Sequence, residues 1–414
     1  MMDIYKKREK CAVCGNKDLN TIMSYGDIPL AGDFPSFENL SFDTKYNLDL
    51  QFCPKCSLIQ TNSIIESDIL FKDYRYMASI GLSKHFNEVA KLIKDRYNPN
   101  NVLEIGSNDG VLLLPLMELG IKCVGIDPAI NISKIAKDKG CNIYNNYFSE
   151  EFVEKEKLHN QFDCIVSNNC FAHIDDIHSI VKGVKKSLKV DGYFIIEVHY
   201  VRDLIEQNQY ETVYHEHLYY WSITSLNELF KQYSMTIVDV DEIPIHGGSI
   251  RVVIKNSLEK YSDKILKYFS KEKELGLTSL SYFTNFGESS IKHINDVKNL
   301  LKKLKNDGNK IIGYGASGRG NIFCNLCDIT PNIIDYVVDE SPEKIGRYIA
   351  GTHVPIVSPK YMENNAPDYI FIFAWNYSKM IIEKLKGNNY KYIIAFPEIT
   401  VIEDGVNLNK KLFI

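Results

Sequence analysis

Apolar runs broken by glycine turns dominate the middle of this chain, and a helical period takes over in its last third. From Asn101, NVLEIGSNDGVLLLPLMELGIKCVGIDPA reads as an apolar strand, a glycine-containing turn, an apolar helix, a second strand and a closing acid. That is one βαβ unit. FDCIVSNNCFAHI reads as a strand opening into a polar loop, and LKVDGYFIIEVHY as a turn before another buried strand. After IRVVIKN the pattern turns helical through SLEKYSDKILKYFSKEKE and ESSIKHINDVKNLLKKLKNDGNK, with lysines and acids decorating an apolar stripe. KIIGYGASGRGNIFCNL then restores strand, glycine turn and helix, IDYVVDES adds a strand ending at Asp339, and GRYIAGTHVPI and IFAWNYS extend the same sheet. The expected fold class is α/β.

A chain of 414 residues exceeds one ordinary core and suggests about two or three domains. The net charge of -5 argues against a general nucleic-acid or anionic-membrane surface, so small molecules are the expected partners and the lysine-rich helices expected solvated faces. MMDIYKKREKCAVCG lacks an apolar core of signal-peptide length, and no later run approaches the roughly 20 residues of a membrane span. A soluble, cytoplasmic protein is expected. Ten cysteines in so long a chain do not suggest a disulfide scaffold, so the thiols should stay reduced unless they bind metal.

Cys11 and Cys14 form a CxxC pair, and Cys53 and Cys56 form a second in FCPKC. Two such turns deliver four thiolates in a tetrahedron, the zinc-ribbon pattern, with no coordination position left open for catalysis. Structural zinc is expected, replacing the core that so small a segment lacks. Cys324 and Cys327 also make a CxxC, but without a partner pair, and are expected to be buried in a helix.

In the βαβ unit, Gly106 and Gly110 let the backbone turn tightly, and Asp127 can accept from two ribose hydroxyls. The motif from Glu104 is ExGxxxG, without the GxGxxG turn that a dinucleotide pyrophosphate favours. A carboxylate at Glu104 would repel pyrophosphate but suits a sulfonium cofactor bearing an amino group, so S-adenosylmethionine is expected, with Ser107, Asn108 and Pro128 beside it. Ligands of such sheets sit at the carboxyl ends of the strands. Asn168, Asn169, His173 and His199 therefore share that rim. Phe148 either flanks adenine or packs in the core.

YETVYHEHLYYWS, from Tyr210 to Ser222, concentrates two histidines, two glutamates and four tyrosines. His215 and His217 lie two apart and cannot share one helix face. Tyr219, Tyr220 and Trp221 are expected to pack a helix entrance, with SLNE from Ser225 as its capping box. In the last third, Gly315, Ser317, Gly318 and Arg319 suit a diphosphate at a helix start. The alternative is that these glycines serve strand-helix packing. Loop contacts are expected from Arg347, His353, Trp375 and Asn376.

With the four cysteines, VLEIGSNDG, FAHI, YHEH and HGGSIR in this order, the chain resembles the sugar C-methyltransferases that act on nucleotide-linked keto-deoxysugars. The resemblance spans nearly the whole chain. It implies a zinc module at 1–70, a central Rossmann-like S-adenosylmethionine domain at 71–256, and a helical linker with a second Rossmann-like domain at 257–414 that helps hold the nucleotide end of the substrate. It further implies that Tyr214 and Glu216 line the sugar pocket, that His217 is the base, and that Tyr76 and His173 contribute. His246 and Arg251 of HGGSIR join the expected substrate contacts. An imidazole suits removal of a proton beside a carbonyl, which makes the carbon nucleophilic. The rival readings are an O- or N-methyltransferase on a related sugar, a nicotinamide-dependent dehydrogenase using the last glycine turn, and a noncatalytic zinc-containing binding protein.

Overall fold

The short strands of the N-terminal part bury Met23, Leu48, Leu50 and Phe52 in one hydrophobic core that continues into the central and last parts of the chain. The computed structural model describes residues 4–72, 77–403 and 406–407. Strand β1 (Tyr5–Lys7) precedes β2 (Asn20–Ile28), β3 (Tyr46–Phe52), β4 (Ile59–Thr61) and β5 (Ser63–Ile65), and β1 pairs with β5. β2, β3 and β4 form an antiparallel sheet whose alternate residues Leu48, Leu50 and Phe52 are buried, as a half-covered strand requires.

The central part contains β6 (Asn101–Ile105), β7 (Lys122–Ile126), β8 (Ile143–Tyr144), β9 (Phe162–Asn168), β10 (Leu188–His199), β11 (Tyr219–Tyr220), β12 (Thr236–Ile243) and β13 (Ser249–Lys255). Seven of them form one sheet in the order β12-β13-β10-β9-β6-β7-β8. β13 runs antiparallel to both of its neighbours, while β10, β9, β6, β7 and β8 are mutually parallel. The order reverses beside β6, and that switch point is where a doubly wound sheet opens a ligand crevice. β11 leaves this sheet altogether and pairs with β4, completing the N-terminal sheet from a distant part of the chain.

The last part holds β14 (Ile311–Tyr314), β15 (Val337–Val338), β16 (Ile356–Val357), β17 (Tyr369–Ile372), β18 (Lys391–Ile394), β19 (Thr400–Glu403) and β20 (Val406–Asn407), in the order β16-β15-β14-β17-β18-β19-β20. Only the β18-β19-β20 pairings are antiparallel. Helices Asp263–Leu275 and Leu280–Asn306 link it to the central sheet. Among the described residues, no helix is long and apolar enough to cross a membrane.

The stretch after β10 is fixed by a buried carboxylate. Glu272 Oε1 accepts from the Ile223 amide at 2.7 Å and the Tyr200 hydroxyl at 2.9 Å, and Oε2 accepts from the Thr224 amide at 2.8 Å and its hydroxyl at 2.6 Å. These bonds satisfy the amino end of helix Ile223–Phe230, whose capping box is Ser222 with Ser225. The box therefore begins three residues before the Ser225 expected from SLNE, because the helix starts at Ile223 rather than after Ser225. Tyr219, Tyr220 and Trp221 are buried at this entrance, and Cys324 and Cys327 are buried in and beside helix Gly318–Leu326.

Candidate active site

The four N-terminal cysteines meet as their spacing requires. Their sulfurs lie within 4.8 Å of one another, with Cys11 to Cys56 at 3.4 Å and Cys14 to Cys53 at 3.5 Å. A tetrahedron with zinc-sulfur bonds of about 2.3 Å has edges of about 3.8 Å, so the cluster fits one zinc ion. Its loop reaches far: Asn321 Nδ2 donates to the carbonyls of Leu30, Ala31 and Asp33, tying the module to the last domain.

At the switch point, β6 ends in the turn Gly106–Gly110, where both glycines have positive φ, +74° and +80°. Asp127 closes β7 and clamps this turn: Oδ2 accepts from the Asn108 amide at 2.8 Å and Oδ1 from the Ala129 amide at 2.9 Å. Asn108 Oδ1 in turn accepts from the Ala78 amide, so the start of helix Ser79–Tyr97 lies against the turn. Around it, Glu104 Oε2, Ser107 Oγ, both side-chain polar atoms of Asn168 and Asn169 Oδ1 are buried without a partner. So many unsatisfied polar atoms at one strand edge are costly unless a polar ligand meets them. They fit S-adenosylmethionine, with its ribose, amino and carboxylate groups. Burial, then the charges of Asp127 and Asp109, push the Glu104 carboxyl well above its usual range, which a ligand ammonium would relieve. Pro128 is half-buried beside Asp127. Phe148 is in the core, against Phe152, and the more exposed Tyr147 instead reaches Asp68 through its hydroxyl at 3.0 Å.

Next to this edge lies a cluster of histidines. His217 stands 4.9 Å from His173 and 5.6 Å from His199 between ring centroids, and His199 stacks on His246 at 5.8 Å. His217 Nδ1 lies 3.0 Å from the Thr212 carbonyl oxygen and so carries the hydrogen, while Nε2 accepts from the Tyr214 hydroxyl at 2.8 Å. His173 Nδ1 donates to the Glu216 carbonyl at 2.6 Å. Burial pushes His173, His199 and His217 below the ordinary imidazole range, and His246 down to about 4. All are neutral at pH 7. Burial also pushes the Glu216 carboxyl up, to about 7, and its Oε1 accepts from the Gly32 amide of the N-terminal module at 3.4 Å. Tyr76 lies outside the described residues.

The remaining expected contacts divide. Arg319 joins the cluster rather than standing free at its helix start: Nη2 donates to the His246 carbonyl at 3.0 Å. Trp375 Nε1 donates to Glu211 Oε1 at 2.9 Å, and Asn376 beside it is exposed. Gly315 has φ +89°, Ser317 Oγ caps its own helix through the Gly320 amide, and Asp339 accepts from the Ala316 and Ser341 amides. Asp339 thus repeats the clamp of Asp127 in the second sheet. Arg251 instead meets Glu197 at 2.6 Å within the central sheet, and Glu197 also holds His85 at 2.7 Å. Arg347 donates to the Phe34 and Glu343 carbonyls and His353 meets Asp43 at 2.7 Å, so both join the first and last parts of the chain rather than the histidines. Glu211, 1 % exposed, was not singled out by the sequence although it lies in the same stretch as His217. Its partners are more than 100 residues away.

The order of the central sheet, its clamped glycine turn and the polar edge beside it define the class, an S-adenosylmethionine-dependent methyltransferase. Residues 74–240 match the family model "Methyltransferase domain", 244–397 "C-methyltransferase C-terminal domain", and 11–71 "Putative zinc binding domain". The C-methyltransferase NovU of Streptomyces niveus is 32% identical over 97% of this chain and 99% of its own length. The chain belongs to this C-methyltransferase family. A ubiquinone biosynthesis O-methyltransferase of Pelagibacter ubique is 32% identical over only 23% of the chain and 40% of its own length. The crystal structure of PH0226 protein from Pyrococcus horikoshii OT3 aligns with 46% of this chain and 97% of its own, at 16% identity and a TM-score of 0.37.

Proposed function

We propose that this C-methyltransferase acts on the carbon beside the carbonyl of a nucleotide-linked keto sugar, through an enolate formed by His217. The observation that carries the reading is the hydrogen-bond state of His217. Its Nδ1 hydrogen is fixed on the Thr212 carbonyl, which leaves the Nε2 lone pair as the basic site, and burial keeps the ring in the neutral form that carries that lone pair. The Tyr214 hydroxyl holds that lone pair in the free enzyme. A substrate C–H arriving at Nε2 displaces this hydroxyl, whose hydrogen then becomes available to a sugar oxygen. As the proton moves to Nε2, the C–H electron pair becomes the new C=C bond and the carbonyl pair moves onto oxygen. Bound S-adenosylmethionine supplies an electrophilic methyl group, held by the residues of the Gly106–Gly110 turn. Glu216 and His173 lie beside the base, placed to contact sugar hydroxyls, and the last domain carries the nucleotide end.

The test is incubation with methyl-labelled S-adenosylmethionine and a panel of nucleotide-linked keto sugars in deuterated buffer, with product analysis by mass spectrometry and NMR. A carbon-bound methyl, with deuterium entry at the acceptor carbon that His217→Asn abolishes, is the expected result. His217→Asn that folds, binds cofactor and methylates at the unaltered rate removes His217 as the base. An oxygen- or nitrogen-bound methyl removes the enolate.

A further inference from the structure

An enolate gathers a full negative charge on the former carbonyl oxygen, and a donor aimed there is worth about 10²–10³ in rate. The groups around His217 supply little of it. With its Nδ1 hydrogen on the Glu216 carbonyl, neutral His173 has no hydrogen at Nε2 to donate. Tyr214 offers one neutral hydroxyl, and the Arg251 guanidinium is already hydrogen-bonded to Glu197 Oε1 at 2.6 and 2.7 Å.

Arg319 is different. It comes from the last domain, at the start of helix Gly318–Leu326, yet its guanidinium reaches the histidines and bonds the His246 carbonyl through Nη2. Its Nη1 is buried and has no partner. Facing it is Glu211, 1 % exposed, whose Oε1 accepts from Trp375 while Oε2 is buried and unpartnered. Arg319 Nη1 and Glu211 Oε1 stand 4.0 Å apart, beyond hydrogen-bond reach. The two charges face each other as a loose ion pair, yet Arg319 Nη1 and Glu211 Oε2 each lack a hydrogen-bond partner. Both lack partners that burial makes costly to omit. Glu211 immediately precedes Thr212, whose carbonyl orients His217, so this carboxylate and the base are held by the same short segment.

We propose that Arg319 and Glu211 form the subsite for the reacting end of the sugar: Arg319 Nη1 donates to the carbonyl oxygen and carries its charge in the enolate, while Glu211 Oε2 accepts from a hydroxyl on the neighbouring carbon. The proposal rests on the enolate reading above. It also moves Arg319 from the diphosphate to the chemistry, so the last domain contributes a catalytic residue as well as a nucleotide hold. After burial itself, the Arg319 charge is the largest cause of the low His199 pKa and one of the causes at His217, as a nearby permanent cation would be.

The experiment separates enolisation from methyl transfer. The full-length, zinc-loaded enzyme is saturated with S-adenosylhomocysteine and given thymidine- and uridine-diphosphate-linked 4-keto-6-deoxyhexoses in deuterated buffer. Exchange at the carbons beside the carbonyl is followed by NMR, and kcat and KM are measured separately with S-adenosylmethionine. Arg319→Gln is expected to slow exchange and kcat about 10²–10³-fold, with KM changed only a few-fold and cofactor affinity unchanged. Arg319→Lys, which keeps the charge, is expected to recover part of the rate, and Glu211→Gln to act mainly on KM. A purely structural clamp would instead lower cofactor affinity and thermal midpoint in all three variants without a selective loss of exchange, and that pattern overturns the proposal. So does exchange by Arg319→Gln at the unaltered rate, or a loss confined to KM, the signature of a diphosphate contact. Should the unaltered enzyme neither exchange nor methylate any of these sugars, the enolate reading itself falls; exchange that is indifferent to Arg319 removes only this subsite.

Discussion

Replacing Gly106 by alanine tests whether the Gly106–Gly110 turn depends on its close approach to Cys170. Gly106 has φ +74°, and a Cβ there would lie 2.7 Å from Cys170 Sγ and 2.8 Å from Cys170 Cβ. The left-handed conformation costs an alanine roughly 1–2 kcal/mol. The overlap with Cys170 adds roughly 1–3 kcal/mol, because Cβ of Cys170 cannot swing away as a flexible tip would. Together they remove about 2–5 kcal/mol, a large share of the roughly 5–15 kcal/mol by which folded proteins are stable. Gly120 is the matched control, with φ +75° and nothing within 4 Å of its would-be Cβ. Gly120→Ala should therefore cost about 1–2 kcal/mol only. Urea unfolding followed by circular dichroism gives both midpoints, and titration calorimetry with S-adenosylmethionine gives the affinity, which should fall about tenfold for each 1.4 kcal/mol by which the turn is displaced. Cys170→Gly in the Gly106→Ala protein removes both clashing atoms and should recover the overlap part. Equal midpoints for Gly106→Ala and Gly120→Ala would refute the reasoning.

Zinc removal by a chelator, or Cys53→Ser, should unfold the N-terminal module and also lower activity, because the module's loop bonds Asn321 and Glu216; metal content, circular dichroism and turnover measured together check this. Glu272→Ala should cost at least about 1–3 kcal/mol, since it leaves the Tyr200 hydroxyl and the Ile223 and Thr224 amides buried without their acceptor, and a denaturant midpoint shift reads it. Glu216 has its carboxyl pushed up to about 7 from an ordinary 4.5, so its favourable protonated contribution is complete below about pH 4.5 and lost as pH rises through 7. Glu216→Gln should therefore gain stability relative to the parent over that window, by at most about 1.4 kcal/mol per pH unit; a constant difference between pH 4.5 and 7.5 would contradict the assignment.

Local features were legible in the sequence and distant pairings were not. The four clustered cysteines and the Gly106–Gly110 turn declare themselves because the geometry of each is set by spacing within a few residues. The second sheet was legible for the same reason, since Ile311–Tyr314 and the following turn repeat the strand-turn-helix pattern. Phe148 and Tyr147 are adjacent, and only the direction of each side chain, fixed by packing on Phe152 and by Asp68, separates the core ring from the exposed one. Arg347 and His353 read as ligand contacts because a charged loop residue looks the same whether it meets a substrate or, as here, Phe34 and Asp43 of a distant segment. Glu211, Glu272 and Arg319 share this difficulty. Their meaning comes from partners on other elements, and no periodicity of a single segment encodes that.

The pairing of β11 with β4 has a consequence for how the chain is made. Thr61 leaves the ribosome 158 residues ahead of Tyr219, so at roughly 5–20 residues per second the sheet of the zinc module waits on the order of ten to thirty seconds for its last strand. During that interval the outer side of β4 exposes open amides and carbonyls, the kind of edge that recruits a strand from another chain. Early capture of metal by the four thiols would hold the nascent module compact through the wait. A recombinant fragment ending near residue 72 would keep that open edge permanently, and the same logic favours boundaries that carry Tyr219 and Tyr220 along with the cysteines.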